Sequence, residues 1–288
     1  MTSKGPIMQI RTVFAALFLA SALTPASAQP ASDQAIHDFV DSHSAVTHLG
    51  KIARWEEGVC PSVTGLPANF TKFITKRIRD LAASVGAPVN PDESCRSNIG
   101  IVFTTKPQDL LNSVREKQPV MLGYFDNSTQ ADEMAKVTHV IQSWHATQTV
   151  DLRGNKVIDT RNPTRPEGGS LNSVSSTGLR TGDGVHSSYY NGIVVADPGK
   201  LVEYEIGTLA DHIAMLALAQ PATPSACTEL PSILDTTNPD CRKDAPVKAL
   251  TKADTGYLKG LYKVDPGAAL RAQKDGIAFH VKEALAGP

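Results

Sequence analysis

Four residues in one eight-residue stretch have side chains that could do chemistry together: Glu205, Thr208, Asp211 and His212. On a helix, Glu205, Thr208 and His212 stand at i, i+3 and i+7 and share a face. A carboxylate beside an imidazole on that face has the parts of a general base or of a partial metal site. A zinc site needs more. It requires two or three imidazoles within reach of one ion, and the two nearest helical positions carry Tyr204 and Ala214 instead. The plainer expectation is a small structural polar face on an amphipathic helix. His186, just past a long polar loop, is a weaker candidate, and Asp183, His186 and Ser187 crowd into one segment rather than converging from several.

The helix that must carry these residues is announced by Ile206, Leu209, Ile213 and Leu216, an apolar stripe that runs to Leu218 before Pro221 stops it. A strand, Ile193 to Ala196, and a Pro-Gly turn precede it. Upstream, 65–88 predicts a helix with Phe70, Phe73 or Ile74, Ile78, Leu81 and Val85 inward, ended by Gly86 and Pro88. Ile99 to Phe103 reads as a buried strand and Pro107 to Lys117 as a second helix. The stretch 139–161 alternates like two strands joined by Gly154-Asn155, with Trp144 and His145 on opposite faces. Its Trp144–Gln148 portion offers an edge for peptide addition. Residues 161–184 hold eleven Gly, Ser or Pro among 24 and read as a mobile loop. Thr251 is the expected N-cap of a last helical region.

The first 28 residues have the charged, apolar and small-residue order of a secretory signal: Lys4 and Arg11, then Val13 to Leu23, then Ala26-Ser27-Ala28. The apolar run falls short of the ~20 residues that span a bilayer. Cleavage at Ala28 would leave 260 residues with 26 basic side chains (28 less Lys4 and Arg11) against 29 acidic ones, a net charge of −3. That near balance gives no electrostatic footprint for nucleic acid. A periplasmic or secreted location is expected, without a stable membrane span after cleavage. The four cysteines, Cys60, Cys95, Cys227 and Cys241, are then expected in disulfides. Three pairings are possible, and shorter loop closure favours Cys60–Cys95 with Cys227–Cys241. His37, His43 and His48, spaced six and five apart in a polar lead-in over 29–64, do not share a helical face and are not read as a metal site.

The order of parts resembles the matrixin-type metzincins. Their zinc helix reads H-E-x-x-H-x-x-G-x-x-H, and Tyr204–Ala214 matches it at Glu205 while Tyr204, Thr208 and Ala214 stand at the three ligand positions and Asp211 at the glycine. Ser232-Ile233-Leu234 matches the turn that follows. Leu250, Thr251, Asp254, Leu258, Leu261 and Tyr262 match the helix after that. The chain is also similar to exported proteobacterial proteins sharing "EIGxxAD" and "PSILD". The resemblance implies an α+β, zincin-like single domain over 65–288: a mixed sheet packed on an N-terminal helix, a long helix and a C-terminal helix. Without ligands it implies neither bound metal nor another cofactor, and a base without metal-bound water has no activated nucleophile. The expected role is a non-catalytic one, binding a peptide or an envelope partner. Two alternatives stay open: a metal-dependent hydrolase built on Glu205 and His212, and a purely structural envelope protein.

Overall fold

A computed structural model describes residues 1–2, 31–160, 184–224, 226–238, 240–241 and 246–287. The expected signal segment and the Gly- and Ser-rich loop fall almost wholly outside these residues. The described residues form seven α-helices and five strands. In chain order they are α1 (Asp33–His43), β1 (Pro61–Thr64), α2 (Ala68–Val85), β2 (Ile99–Phe103), α3 (Pro107–Lys117), α4 (Ser128–Met134), β3 (Ile141–Val150), β4 (Lys156–Ile158), β5 (His186–Ala196), α5 (Ile206–Leu218), α6 (Lys252–Lys263) and α7 (Leu270–Ala286).

The strands make one mixed sheet in the order β1-β2-β5-β3-β4. β1, β2 and β5 run parallel, while β3 lies antiparallel to β5 and carries β4 as a short antiparallel addition. Alternation along β5 separates two cores, as the two-residue period of a strand requires. Val194 and Ala196 join the main core with Ile99, Ile101, Ile74, Ile78, Ile213, Met215 and Tyr257. Ile193 and Val195 face the other way, onto Leu111, Leu122 and Trp144. α5 is buried at every position from Thr208 to Leu218, which is why its sequence is apolar nearly all round.

Several expectations change. The 29–64 stretch is no polar lead-in: α1 buries Ile36, Phe39 and Val40 in the main core, and Ser32 caps it by accepting from the Ala35 amide. On α2 the stripe begins at Ile74, since Phe70 and Phe73 stay exposed on its first turns. β5 begins at His186 rather than Ile193, because its first half pairs with β3 beyond the parallel ladder and meets Arg54 in an isolated bridge at Ser188. α5 begins at Ile206, so Tyr204 and Glu205 precede the helix. The boundaries of α3, the turn after β3 and the Thr251 cap lie where the sequence puts them.

Cys60–Cys95 and Cys227–Cys241 are both disulfide-bonded, the pairing with the shorter loops. At the carboxyl end α6 lies against α7 so closely that a Cβ on Gly256 would stand 2.8 Å from the His280 carbonyl, and one on Gly260 2.8 Å from the Ile277 Cα. Two glycines one turn apart thus set the helix spacing. No helix among the described residues is long and apolar enough to cross a membrane.

Asp254 sits at the centre of this carboxyl region with no exposed surface. Its Oδ2 accepts from the amides of Ile233 (2.8 Å) and Thr251 (2.9 Å) and from the Thr251 hydroxyl (3.0 Å), while Oδ1 accepts from the Ser232 hydroxyl (2.7 Å). Removing this buried carboxylate takes the acceptor from the Ile233 and Thr251 amides, while the Thr251 hydroxyl keeps the Pro231 carbonyl at 3.0 Å. Asp254→Ala should therefore lower the unfolding free energy by about 3 kcal/mol or more in urea titrations. Lys259→Ala, an exposed position on the same helix, should change it by less than about 0.5 kcal/mol. Equal effects would show that Asp254 does not organise this region.

Candidate functional site

The polar residues of α5 are reached from four directions, and each meets a different piece of backbone or side chain. Glu205 stands at the N-cap without making a capping bond, and its carboxylate lies 3.8 Å from Lys248 Nζ with both side chains mostly exposed. Such a surface pair contributes little. Thr208 is buried, and its hydroxyl donates to the Lys248 carbonyl at 2.7 Å. Asp211 is buried and accepts from Arg77 Nε of α2 and from the Leu250 amide at 3.2 Å. The hydrogen bond that Arg77 donates to Asp211, and the charge of that carboxylate, together raise the already high pKa of Arg77.

His212 lies on another side of the helix. It is buried, and with a carbonyl as the partner its Nδ1–H must be the donor to Ile233 O, 3.1 Å away. Burial depresses its pKa to about 4 and keeps it neutral, although the Ile233 bond works the other way. Ala214 has no exposed surface, and Tyr204 packs partly buried against the core.

The four candidates therefore do not converge. Glu205, Thr208 and Asp211 line one surface groove of about 420 Å³ together with Phe73, Arg77 and Lys248, whereas His212 faces the interior. The three positions matched to zinc ligands do not converge either, because Tyr204 precedes the first helical turn and Ala214 ends in the core. Among the described residues no group of three or more His, Cys, Asp or Glu could hold a metal ion.

A Ser, a His and an Asp from three separate segments do meet, though not where the sequence pointed. Ser232 Oγ donates to Asp254 and lies 3.0 Å from Nε2 of His43, at the end of α1. His43 Nδ1 donates to the Phe39 carbonyl at 2.8 Å, so in the neutral ring Nε2 is an acceptor and shares the Ser232 hydroxyl proton with Asp254. In a nucleophilic triad the histidine accepts the serine proton and the carboxylate holds the histidine. Here the serine sits between the two. All three are buried, and Ser232 Oγ also accepts from the Leu234 amide at 3.1 Å. The cluster is a fastening of α1 to the Ser232 turn and α6.

The widest gathering of polar side chains around a cavity lies elsewhere, below the antiparallel part of the sheet. A cavity of about 350 Å³ is lined by His48, Tyr124, Gln130, His145, Thr147 and Tyr189, among others. His48 stacks on Tyr124 with ring centroids 4.3 Å apart, and its Nδ1 lies 3.7 Å from Asp159. Asp159 in turn accepts from the hydroxyls of Thr147 (2.6 Å) and Thr149 (2.7 Å). His145 is 1 % exposed, and burial again depresses its pKa to about 4. Strand alternation puts His145 on the face opposite Trp144, but it does not tell what crosses that face.

The neighbouring edge of β3 is less open than the sequence suggested. β4 covers Gln148–Val150, and the segment after the Pro119–Leu122 turn crosses near His145, where a Cβ on Gly123 would be 2.9 Å from the His145 carbonyl. His186 pairs with Glu56 at 2.8 Å rather than joining a site.

Three buried histidines, His43, His145 and His212, are each depressed to about 4, with desolvation the chief cause. A group depressed below its unfolded value of about 6.5 contributes stability that is present above that pH and lost as pH falls toward about 4. Asp254, raised by burial, works in the opposite sense. Each histidine accounts for up to roughly 3 kcal/mol across this window. Urea unfolding should weaken steadily from about pH 7 to about pH 4.5, and His212→Gln should flatten the dependence by about one histidine's share. An unchanged slope in that variant would contradict the buried, neutral assignment. Comparison with protein-family models, curated proteins and solved structures gave no match.

Proposed function

We propose that this chain is an exported, zincin-like binding protein that lacks peptidase chemistry on α5 and takes a peptide or an envelope partner in the α5 groove. The observation that carries the reading is the use of α5's polar groups. Thr208, Asp211 and His212 are each committed to fastening a neighbouring segment, and Glu205 stands outside the helix with Lys248. A zinc protease needs these same positions free, with imidazoles one helical turn apart and a carboxylate beside a metal-bound water.

The zincin-like part of the proposal is supported by element order. A helix, a mixed sheet, a long helix, a tight Ser232 turn and a capped helix follow one another as the resemblance implies. Export is supported by the leader-like start and by two disulfides, which persist in oxidising compartments; a periplasmic or secreted location follows from both. The groove supports binding because it combines an exposed aromatic, Phe73, with charges of both signs at Arg77, Glu205 and Lys248. A hydrolase working through Glu205 and His212 is disfavoured by their placement, one on the surface and the other inside the core.

The test is direct. The purified chain, carrying no histidine tag, should hold substoichiometric zinc by elemental analysis and show no chelator-sensitive peptide cleavage. Stoichiometric zinc together with cleavage abolished by chelator would overturn the proposal. Capture from an envelope extract should return a partner that Phe73→Ser/Glu205→Ala loses; no partner in either form would favour a structural envelope protein.

A further inference from the structure

The start of α2 stands clear of the core. Pro67, Ala68 and Asn69 are exposed, and Ile74 is the first side chain of the helix to be buried. Phe70 and Phe73, 38 % and 45 % exposed, lie one turn apart, so their rings adjoin on the helix surface. Single exposed apolar side chains are ordinary on a protein surface. Two aromatic rings on one turn, with basic residues beside them, have the pattern of a helix that meets a lipid interface.

The charges beside the rings have one sign. Between Ala68 and Arg79 the helix carries Lys72, Lys76, Arg77 and Arg79 and no acidic residue, in a chain whose 28 basic and 29 acidic side chains nearly balance. Arg77 is held by Asp211, and Arg79 by the Asn90 carbonyl. Lys76 meets Asp80 with its own side chain 75 % exposed, a surface pair that contributes little. Lys72 is exposed and enters no ion pair among the described residues. Lys72 and Lys76 are four positions apart, so they share the outward face next to Phe73. The acidic side chains of the adjoining groove, Asp80, Glu205 and Asp211, each face a basic partner. Counting Lys248, five basic residues stand against these three acids, a surplus of two.

We propose that this end of α2 docks on an anionic lipid bilayer. Phe70 and Phe73 enter the boundary between headgroups and acyl chains, and Lys72 and Lys76 meet the lipid phosphates. Shape separates this partner from an acidic peptide. A peptide side chain is gripped by a concave site, whereas Phe70 and Lys72 lie outside the groove that Phe73 borders and form a projecting ridge. The opposite face of α2 is occupied, since Ile74, Ile78, Leu81 and Val85 are buried in the core. Only the two rings can enter the bilayer, so the contact is shallow and reversible. The proposal does not rest on the α5 groove, because Phe70 and Lys72 can be changed without touching it.

Cosedimentation with vesicles of phosphatidylglycerol and phosphatidylcholine in equal parts reads the contact, using the chain cleaved at Ala28 so that no apolar leader holds lipid. Binding should saturate with lipid, fall several-fold on phosphatidylcholine alone, and fade as salt rises. Phe70→Ser should weaken it about tenfold and Lys72→Ser about fivefold, with urea unfolding unchanged because both positions are exposed. In a second readout, the emission of Phe70→Trp should move to shorter wavelength on the anionic vesicles and be quenched by brominated acyl chains. Absence of binding to those vesicles would overturn the proposal. So would binding that Phe70→Ser and Lys72→Ser keep at full strength, or a Phe70→Trp emission that stays unmoved when lipid is bound. Binding of poly-glutamate in place of vesicles, lost in the same variants, would assign the face to an acidic peptide instead.

Discussion

The Asp254 carboxylate is the constraint from which the carboxyl half of the molecule takes its form. It is fully buried, and burial raises its pKa against the pull of its hydrogen bonds. A charge in that position is tolerable only with a complete set of donors. The Ile233 and Thr251 amides and the Ser232 and Thr251 hydroxyls supply that set. Meeting it brings the Ser232 turn against the start of α6. The Ile233 carbonyl then stands where His212 of α5 donates to it, and Ser232 Oγ stands where His43 of α1 reaches it. One carboxylate thereby ties together four segments that are far apart in the chain.

The consequence for α5 follows from the same geometry. A helix that is buried on every side must find a partner for each polar group it carries. Thr208 and Asp211 find theirs in the Lys248–Leu250 backbone leading into α6, and Asp211 adds Arg77 of α2. Thr208 and Asp211 thus hold the connection between α5 and the segment that leads into α6.

The elements with a clear period were legible in the sequence. α2 from Ile74 onward, β2, α3 and the end of α5 at Leu218 all follow from apolar spacing and from Gly or Pro stops, and the short-loop disulfides follow from closure entropy. Missed features share a different cause. α1 reads as polar because the core stripe is narrow, Ala35, Ile36, Phe39 and Val40, and His37 and His43 with three aspartates dilute the signal. Phe70 and Phe73 fit the period of α2 yet stay exposed, Phe73 on the groove beside α5. Helical spacing grouped Glu205 with His212, whereas α5 starts one residue later and leaves Glu205 as its N-cap, with the side chain on the surface. Nothing local in the sequence marks His43, Ser232 and Asp254 as partners, since 189 residues separate the first two. The cavity at His145 is hidden for the same reason, because its walls come from β3, β5, α4 and the Ala45–Ala53 stretch.

The central claim is that the α5 surroundings are locked by the Asp254 and Asp211 carboxylates. Native-state hydrogen exchange measures this at the amides themselves. The Ile233, Leu250 and Thr251 amides lie outside the α-helices and strands, yet each donates to one of these carboxylates. They should exchange only through global unfolding, with the same opening free energy as Ile213 and Met215 in the middle of α5. Exchange of the three amides through a local opening of near-zero free energy, while α5 stays protected, would contradict the account.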